Sequence, residues 1–534
     1  MTIEVLDRRV NALLVQPLTP DTYWGFQYAV GIVGKAASMP PLGLVTLAAQ
    51  LPPTWSLRLV DLNIEPLRDE DLEWADVLLL TGMLIHAPSM HEVLARARRL
   101  GVRTVVGGPA ASSSAGAFPD ADHVFSGEAE DRLHGLVEVL ERGEGPRVLV
   151  PPDGARPKLG SVPPPRWDLL RRDRYVSMSL QYSRGCPFNC EFCDIIEMFG
   201  RQPRTKSSTQ VLRELAALRD WGWRGSVFFV DDNFIANRRA VAEVLPEITR
   251  WQDENGRPFE FYTEASVDLA TQPKLIAAMV EAGFSTVFLG IETPSPEALR
   301  ETQKLQNLRM ELNESVELVT RAGLEVYAGF IVGFDADGPG IFEVQRAFID
   351  SLPIAAAMIG LLTALPRTQL WRRLEGEGRL RRDSSGDQFG RPNFVTTLDE
   401  RTLLEGYRSL LSALYRPDAY YARCAKIVEQ LGKGRGVSLR PGALRLLLRI
   451  ALRVGLLSPR RGLFWRLMAR AARRPHTLPR AVALAVQGEH FIRYTREQVL
   501  PRIGRALDEV TRERHESPAA ARASVAQQAP TVVA

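Results

Sequence analysis

The sequence predicts an α/β protein in three parts: an N-terminal doubly wound parallel sheet, a partial (β/α)6 barrel and a helical C-terminal region. Three observations carry that expectation. Short apolar runs alternate with helical patterns twice, over residues 10–145 and again over 175–380. Pro and Gly cluster between Gly143 and Pro165, so 146–174 reads as a linker. Beyond residue 380 the strand patterns stop and basic, helical periodicity takes over. A chain of 534 residues is also too long for one compact core.

In the first alternation, strands are expected at Asn11–Gln16, Ser56–Asp61, Val77–Thr81, Arg103–Val106 and His123–Ser126. Helices are expected across Leu42–Leu51, Ser89–Leu100 and Asp131–Arg142. Strand–helix repetition at this spacing gives a doubly wound parallel sheet. Such sheets bind ligands at the carboxyl ends of their strands, here Pro17, Asp61–Asn63, Thr81–Met83, Gly107–Pro109 and Gly127–Glu128. In the second alternation the strands are Ser177–Tyr182, Ser226–Val230, Phe259–Glu264, Thr286–Ile291, Glu325–Val332 and Ala356–Leu362. Helical patterns lie between them, among them Gln210–Trp221, Lys274–Ala282 and Met310–Ala322. Six units suit an open barrel rather than the closed eight-unit form. Residues 381–515 read as helices, and 516–534 as a disordered tail.

Composition narrows the function. The 45% apolar and 24% charged content is that of a globular protein, and a net charge of +4 does not mark a nucleic-acid binder. No stretch approaches the roughly 18 apolar residues of a spanning helix. Neither a secretory leader nor a disulfide framework is expected, because three of the four cysteines fall within eight positions. The expected setting is cytoplasmic and reducing, with peripheral contact on the inner face of a membrane left open.

Those three cysteines stand in Tyr182-Ser-Arg-Gly-Cys186-Pro-Phe-Asn-Cys190-Glu-Phe-Cys193, directly after the first barrel strand. Barrel enzymes place their chemistry at that end of a strand. Three thiolates can hold three irons of a cubane and leave the fourth open to a chelating molecule. The competing reading is zinc, which wants four ligands; Asp194 is the available fourth, and Cys424 is remote and reads as packing. Acids and glycines recur at successive strand ends: Asp231 and Asp232, Glu264, Glu292, and then Gly329 and Gly333. Carboxylates there suit hydroxyl and ammonium recognition, and glycines permit close backbone approach. Asp231 and Asp232 read equally well as helix caps.

The Cys-x-x-x-Cys-x-x-Cys spacing, with Phe192 before the third cysteine, resembles the radical S-adenosylmethionine superfamily. The resemblance implies a [4Fe–4S] cluster on Cys186, Cys190 and Cys193. It also implies S-adenosylmethionine on the open iron, cleaved to a 5′-deoxyadenosyl radical by one electron from a donor such as flavodoxin or ferredoxin. Phe192 would then lie against the adenine and Glu292 would hold the ribose or the amine. The preceding α/β part resembles the cobalamin-binding domain of one class of this superfamily. In that fold the turns Thr81-Gly82-Met83 and Gly107-Gly108-Pro109 would house the cofactor's nucleotide tail. The Asp-x-His-x-x-Gly motif that supplies a histidine to cobalt is absent, which leaves open a degenerate domain that has lost cobalamin. His86 and His91 read as surface or packing residues.

Met39-Pro-Pro-Leu-Gly43, Trp55–Asn63, Phe199–Arg204 and Gly290–Pro294 are similar to the branch typified by the hopanoid methylases. That branch implies methyl transfer to an unactivated carbon of a small molecule, a lipid or isoprenoid among them. A radical cyclase or rearrangement enzyme, and a non-catalytic sensor, are the alternatives. Thirteen Lys or Arg and no acid lie between Lys433 and Arg480, with Arg445, Arg449 and Arg453 at four-residue spacing. The segment reads either as a membrane-surface helix or as a solvated one, and without interleaved aromatics no nucleic acid is expected.

Overall fold

The computed structural model describes residues 9–130, 132–150, 156–435 and 442–516. The tail read as disordered lies outside the described residues, except for Glu516, which ends a helix. The first sheet holds β1 (Asn11–Gln16), β2 (Ser56–Asp61), β3 (Val77–Thr81), β4 (Arg103–Gly107), β5 (His123–Phe125) and β6 (Val148–Leu149). All pairings are parallel, in the order β2-β1-β3-β4-β5-β6. Alternate residues of β1 and β3 pack on opposite faces: Leu13, Val15, Leu78 and Leu80 on one, Ala12, Leu14, Val77 and Leu79 on the other. The order reverses between β1 and β3, so the ligand crevice of this sheet opens at Pro17–Thr19 and Thr81–Met83. β6 falls inside the stretch read as linker. Two residues show no periodicity, and this strand exists because β5 offers an edge, with Val124 N–H donating to the Arg147 carbonyl at 2.7 Å.

The second sheet is the open barrel: β7 (Met178–Leu180), β10 (Gly225–Phe229), β11 (Phe259–Ala265), β12 (Phe284–Glu292), β13 (Glu325–Val332) and β14 (Ala357–Leu361), adjacent in that order and parallel. A small antiparallel pair, β8 (Ser183–Arg184) and β9 (Arg204–Thr205), brackets the cysteine loop and was not expected. Two-residue strands carry no pattern to read.

C-terminal helices close the amino end of the barrel. Arg480, on the helix Leu478–Tyr494, bridges Glu260 (2.9 Å) and Glu325 (2.8 Å), which open β11 and β13. The segment after β1 is held by the same helices: Tyr23 shares a 2.7 Å hydrogen bond with Thr495, and Trp24 packs on Phe288 of β12 at 4.8 Å. The two sheets are joined by buried polar contacts. The Tyr175 hydroxyl donates to Asp61 at the end of β2 (2.9 Å). Glu128 and Glu130, just beyond β5, receive Arg184 of β8 and Arg204 of β9. The carboxyl end of the first sheet is thereby fastened to the base of the cysteine loop. Among the described residues no helix is long and apolar enough to cross a membrane.

Candidate active site

The cysteine loop is clamped from β10. The Asp231 carboxylate is buried and accepts hydrogen bonds from Tyr182 N–H (3.0 Å), from Ser183 N–H and from the Ser183 hydroxyl (2.5 Å). Both of its oxygens are thus engaged by the residues that lead into Cys186. Burial outweighs these bonds and raises its pKa to about 6. Gly185 sits at φ +94°, and a Cβ there would stand 2.9 Å from the Gly200 carbonyl oxygen, so only glycine can turn the chain into Cys186. Cys190 is buried, Cys186 and Cys193 are half-buried, and all three are free thiols.

Polar donors reach two of the sulfurs. Asn233 directs Nδ2 at Cys186 Sγ (3.7 Å), and its oxygen is held by Ser266 N–H (3.2 Å), which fixes the amide orientation. Buried Gln306 donates to Cys190 Sγ at 3.4 Å. Lys304 sits beside the loop, its Nζ 2.7 Å from Glu292 Oε1 and 5.7 Å from the centre of the Phe192 ring. Burial raises the Cys186 and Cys193 thiols, and the Lys304 charge opposes that shift in both. Among the described residues no three Cys, His, Asp or Glu side chains converge as ligands of a single ion do. The corners of a cubane, each taking one thiolate, do not demand such convergence.

The remaining strand-end residues divide. Glu292 closes β12 at a bulge with φ +65°, a strained position for a side chain, held by the Asn307 amide donating to the Gly290 and Ile291 carbonyls (3.0 and 2.9 Å). Asp232 and Glu264 sit side by side at the ends of β10 and β11. Burial, with the charges of Asp231 and Asp194, raises Asp232 to about 7; burial, with the charges of Asp232 and Asp231, raises Glu264 to about 8. Asp232 keeps one buried oxygen without a hydrogen bond. Phe192 packs on Phe334 (6.2 Å). Gly333, at φ +100°, donates to Asp337 (2.8 Å) in the turn after β13. Gly329 has a packing reason instead: a Cβ there would meet the Phe288 ring at 2.8 Å.

In the first sheet Thr81 pairs with Gly107 at the ends of β3 and β4, and Gly108 lies against Gly82 just beyond them. Gly108 has φ +84°, and a Cβ on it would lie 2.1 Å from Thr81 Oγ1. At Gly82 the same space is taken by Met90 and His86, whereas Gly107 has 3.9 Å of clearance. Leu18 and Met83 flank the crevice with more than half their surface exposed. His86 is buried. Its Nδ1 accepts from Met83 N–H (3.0 Å), which leaves the proton on Nε2, 3.1 Å from the Thr19 hydroxyl. His91 stacks on Phe118.

Sequence reasoning missed Lys304, Gln306, the orienting role of Ser266 on Asn233, and the Arg184/Arg204 clamp. Lys304 and Gln306 flank exposed Leu305 in Thr302–Asn307, a mostly polar segment that reads as an exposed loop; only tertiary packing buries Gln306 and covers most of the Lys304 side chain.

A profile of the Radical SAM superfamily matches residues 180–339, and a domain of unknown function, DUF4070, matches 368–502. An uncharacterised methyltransferase of Synechocystis sp. is 40% identical over 93% of this chain and 94% of its own. The hopanoid C-2 methylase of Rhodopseudomonas palustris is 36% identical over 77% of this chain and 78% of its own. Among solved structures, the cobalamin-dependent S-adenosylmethionine radical enzyme OxsB, with aqua-cobalamin and S-adenosylmethionine bound, aligns with a TM-score of 0.59. That alignment covers 94% of this chain and 84% of OxsB at 15% identity, a likeness of fold.

Proposed function

Because this chain belongs to the radical S-adenosylmethionine superfamily, in the branch of the hopanoid C-2 methylase and its methyltransferase relatives, we propose that it is a cobalamin-dependent radical C-methyltransferase. One observation supports this above the others. The loop of three free thiols and the crevice of the first sheet are fastened together by the Arg184, Arg204, Glu128 and Glu130 clamp. Two cofactors held at those places would face one substrate.

Cys186, Cys190 and Cys193 would hold the [4Fe–4S] cluster; Thr81, Gly82, Gly107 and Gly108 would line the nucleotide tail of cobalamin. When bound, the cluster with S-adenosylmethionine supplies a carbon radical and cobalamin supplies a methyl group. The chain's own work is placement. Asn233 and Gln306 donate to sulfur, Lys304 sets a positive charge beside the thiolates, and Glu292 and Phe192 would seat S-adenosylmethionine. Glu264, and Asp232 in part, would hold a proton near neutral pH and donate hydrogen bonds to hydroxyl groups of cofactor or substrate. At the fifth strand Gly333 would turn the chain beside that ligand, and Gly329 would act through packing, by admitting the Phe288 ring.

The substrate we infer is apolar, a lipid or isoprenoid, delivered through peripheral contact with the membrane's inner face. A flavodoxin- or ferredoxin-type protein would supply the electron. The test is anaerobic reconstitution with methyl-labelled S-adenosylmethionine and mass spectrometry of the products. Label in a product supports methyl transfer. 5′-Deoxyadenosine without label transfer points to cyclisation or rearrangement, and zinc in place of iron with no cluster spectrum sinks the proposal.

A further inference from the structure

The helix Ala443–Ile450 is exposed at every position from Leu444 to Arg449, and only Ile450 is buried. Leu444 and Leu457 keep 71% and 67% of their surface, and Leu447, Leu448, Leu456 and Trp465 are each at least half exposed. Large exposed apolar side chains in one contiguous segment mark an interaction surface rather than ordinary surface scatter. Trp465 belongs to the same patch, since its indole N–H donates to the Gly455 carbonyl at 2.8 Å.

Charge defines what the patch meets. Arg435, Arg460, Arg470 and Arg480 in this acid-free stretch are consumed by ion pairs within the molecule. Arg445, Arg449 and Arg453, interleaved with the leucines, take part in no ion pair among the described residues. Arg453 instead donates to the Gly31 carbonyl (2.8 Å) at the mouth of a cleft of about 570 Å³. Arg493 and Arg496 line the same cleft, Arg493 stacked 4.4 Å over Tyr28; the two share one acid, Glu497 (3.3 and 2.8 Å), so a positive charge is left in excess between them. Glu489, the acid in its wall, is already neutralised by Arg460. The surface therefore offers leucines and a tryptophan beside guanidinium groups that converge on a cleft with room for an anion.

We propose that this face docks on a bilayer of anionic phospholipid, with the leucines and Trp465 in the acyl boundary and a lipid phosphate between Arg453, Arg493 and Arg496. Apolar residues sink into the headgroup boundary while arginines hold anionic heads, and guanidinium matches phosphate geometry. The inference rests on the peripheral membrane contact proposed above and names the surface and lipid class that make it. The chain from this cleft runs through Tyr28 back to Trp24, against Phe288 in the barrel wall, so docking here would bring the barrel close to the bilayer.

The experiment floats the full, anaerobically reconstituted chain with vesicles of phosphatidylcholine alone or mixed with phosphatidylglycerol. Binding is expected to the mixed vesicles. Arg453→Gln and Arg496→Gln should each weaken it about fivefold, and Leu448→Glu with Leu457→Glu about tenfold or more. These positions are exposed, so thermal melting should not move. Absence of flotation, equal flotation on neutral vesicles, or insensitivity to these variants overturns the proposal. So does a dimer that the leucine variants dissolve while vesicles stay unbound, since a second copy would then be what covers the face. 5′-Deoxyadenosine formation, measured in parallel, separates the two readings. If it persists without flotation, the docking surface falls alone; if flotation persists without it, the enzymatic proposal falls alone.

Discussion

Arg184→Ala gives the sharpest test of how the two sheets share a site. Arg184 donates at 2.9 Å to Glu128 and at 2.7 and 2.5 Å to Glu130, and all three side chains are largely buried. Glu128 retains Arg204 at 2.8 Å when Arg184 is removed, but Glu130 loses its one ion-pair partner among the described residues. A buried charge stripped of its partner costs about 3–5 kcal/mol, against a total stability of about 5–15 kcal/mol. The sign of the pH dependence adds a second handle. In the native chain burial pushes Glu130 upward, but Arg184 outweighs it and the carboxyl lies below its usual 4.5. Its contribution is therefore present above pH 4.5 and fades as pH falls through the lowered value. Without Arg184 burial is opposed only by a backbone hydrogen bond and the Lys206 charge, the pKa rises, and the variant regains stability on acidification from pH 8 to 5 while the native chain does not. Glu130→Ala should cost less, because Arg184 keeps Glu128. The double variant should be more stable than the two single losses sum to, by about 2 kcal/mol. Urea unfolding at the two pH values, with iron per chain after reconstitution, measures all of this. An Arg184→Ala loss under about 1 kcal/mol, or strict additivity, would refute the reasoning.

The other predictions concern the site itself. Cys186→Ala should abolish reductive cleavage of S-adenosylmethionine; 5′-deoxyadenosine still formed by the variant removes that thiolate from the cluster. Asn233→Leu should keep iron but lower the midpoint potential by about 40 mV, the one-electron equivalent of a hydrogen bond of about 1 kcal/mol; an unchanged potential in spectroelectrochemical titration rejects an N–H donor to Cys186. Glu264, with its carboxyl raised to about 8, holds its proton in the folded chain after the unfolded chain has lost its own, so apo-chain stability should fall as pH rises from about 4.5 to 8. Glu264→Gln should flatten that slope, by less than about 1 kcal/mol per pH unit once solvent screening is allowed for; thermal melting across the range decides it. Gly108→Ala forces a side chain into φ +84° against Thr81 and should abolish cobalamin retention on a sizing column while the barrel still takes up iron.

What could be read in advance follows from where the physical information resides. β1, β2, β3 and β13 begin and end where the sequence pattern places them: β1, β3 and β13 carry continuous apolar runs, as a buried strand does, and β2 alternates Leu57 and Leu59 with polar residues. β6, β8 and β9 could not be read. Each has two residues, and each is made a strand by the edge it meets rather than by propensity. The helix predicted from Leu42 to Leu51 ends at Ala48, ahead of Pro52-Pro53, for the same kind of reason: Ala49 N–H donates to the Val45 carbonyl and Gln50 N–H to the Leu47 carbonyl, which closes its last turn locally.

The site shows the same split between chemistry and placement. Thiols, strand-end acids and small-residue turns were visible because their chemistry is rare at that spacing. Their partners were not, because a buried lysine, glutamine or arginine looks like any other polar residue until the fold removes its water. Asp231 makes the point: at the sequence level it is one of two adjacent acids, with ligand and cap as equal readings. In the fold its oxygens accept from Tyr182 and Ser183, four and three residues ahead of Cys186, and of the two acids Asp232 retains an unengaged buried oxygen. Two neighbours just beyond one strand thus have different partners. One fixes the loop that would carry the cluster, and the other is left to meet whatever the barrel binds.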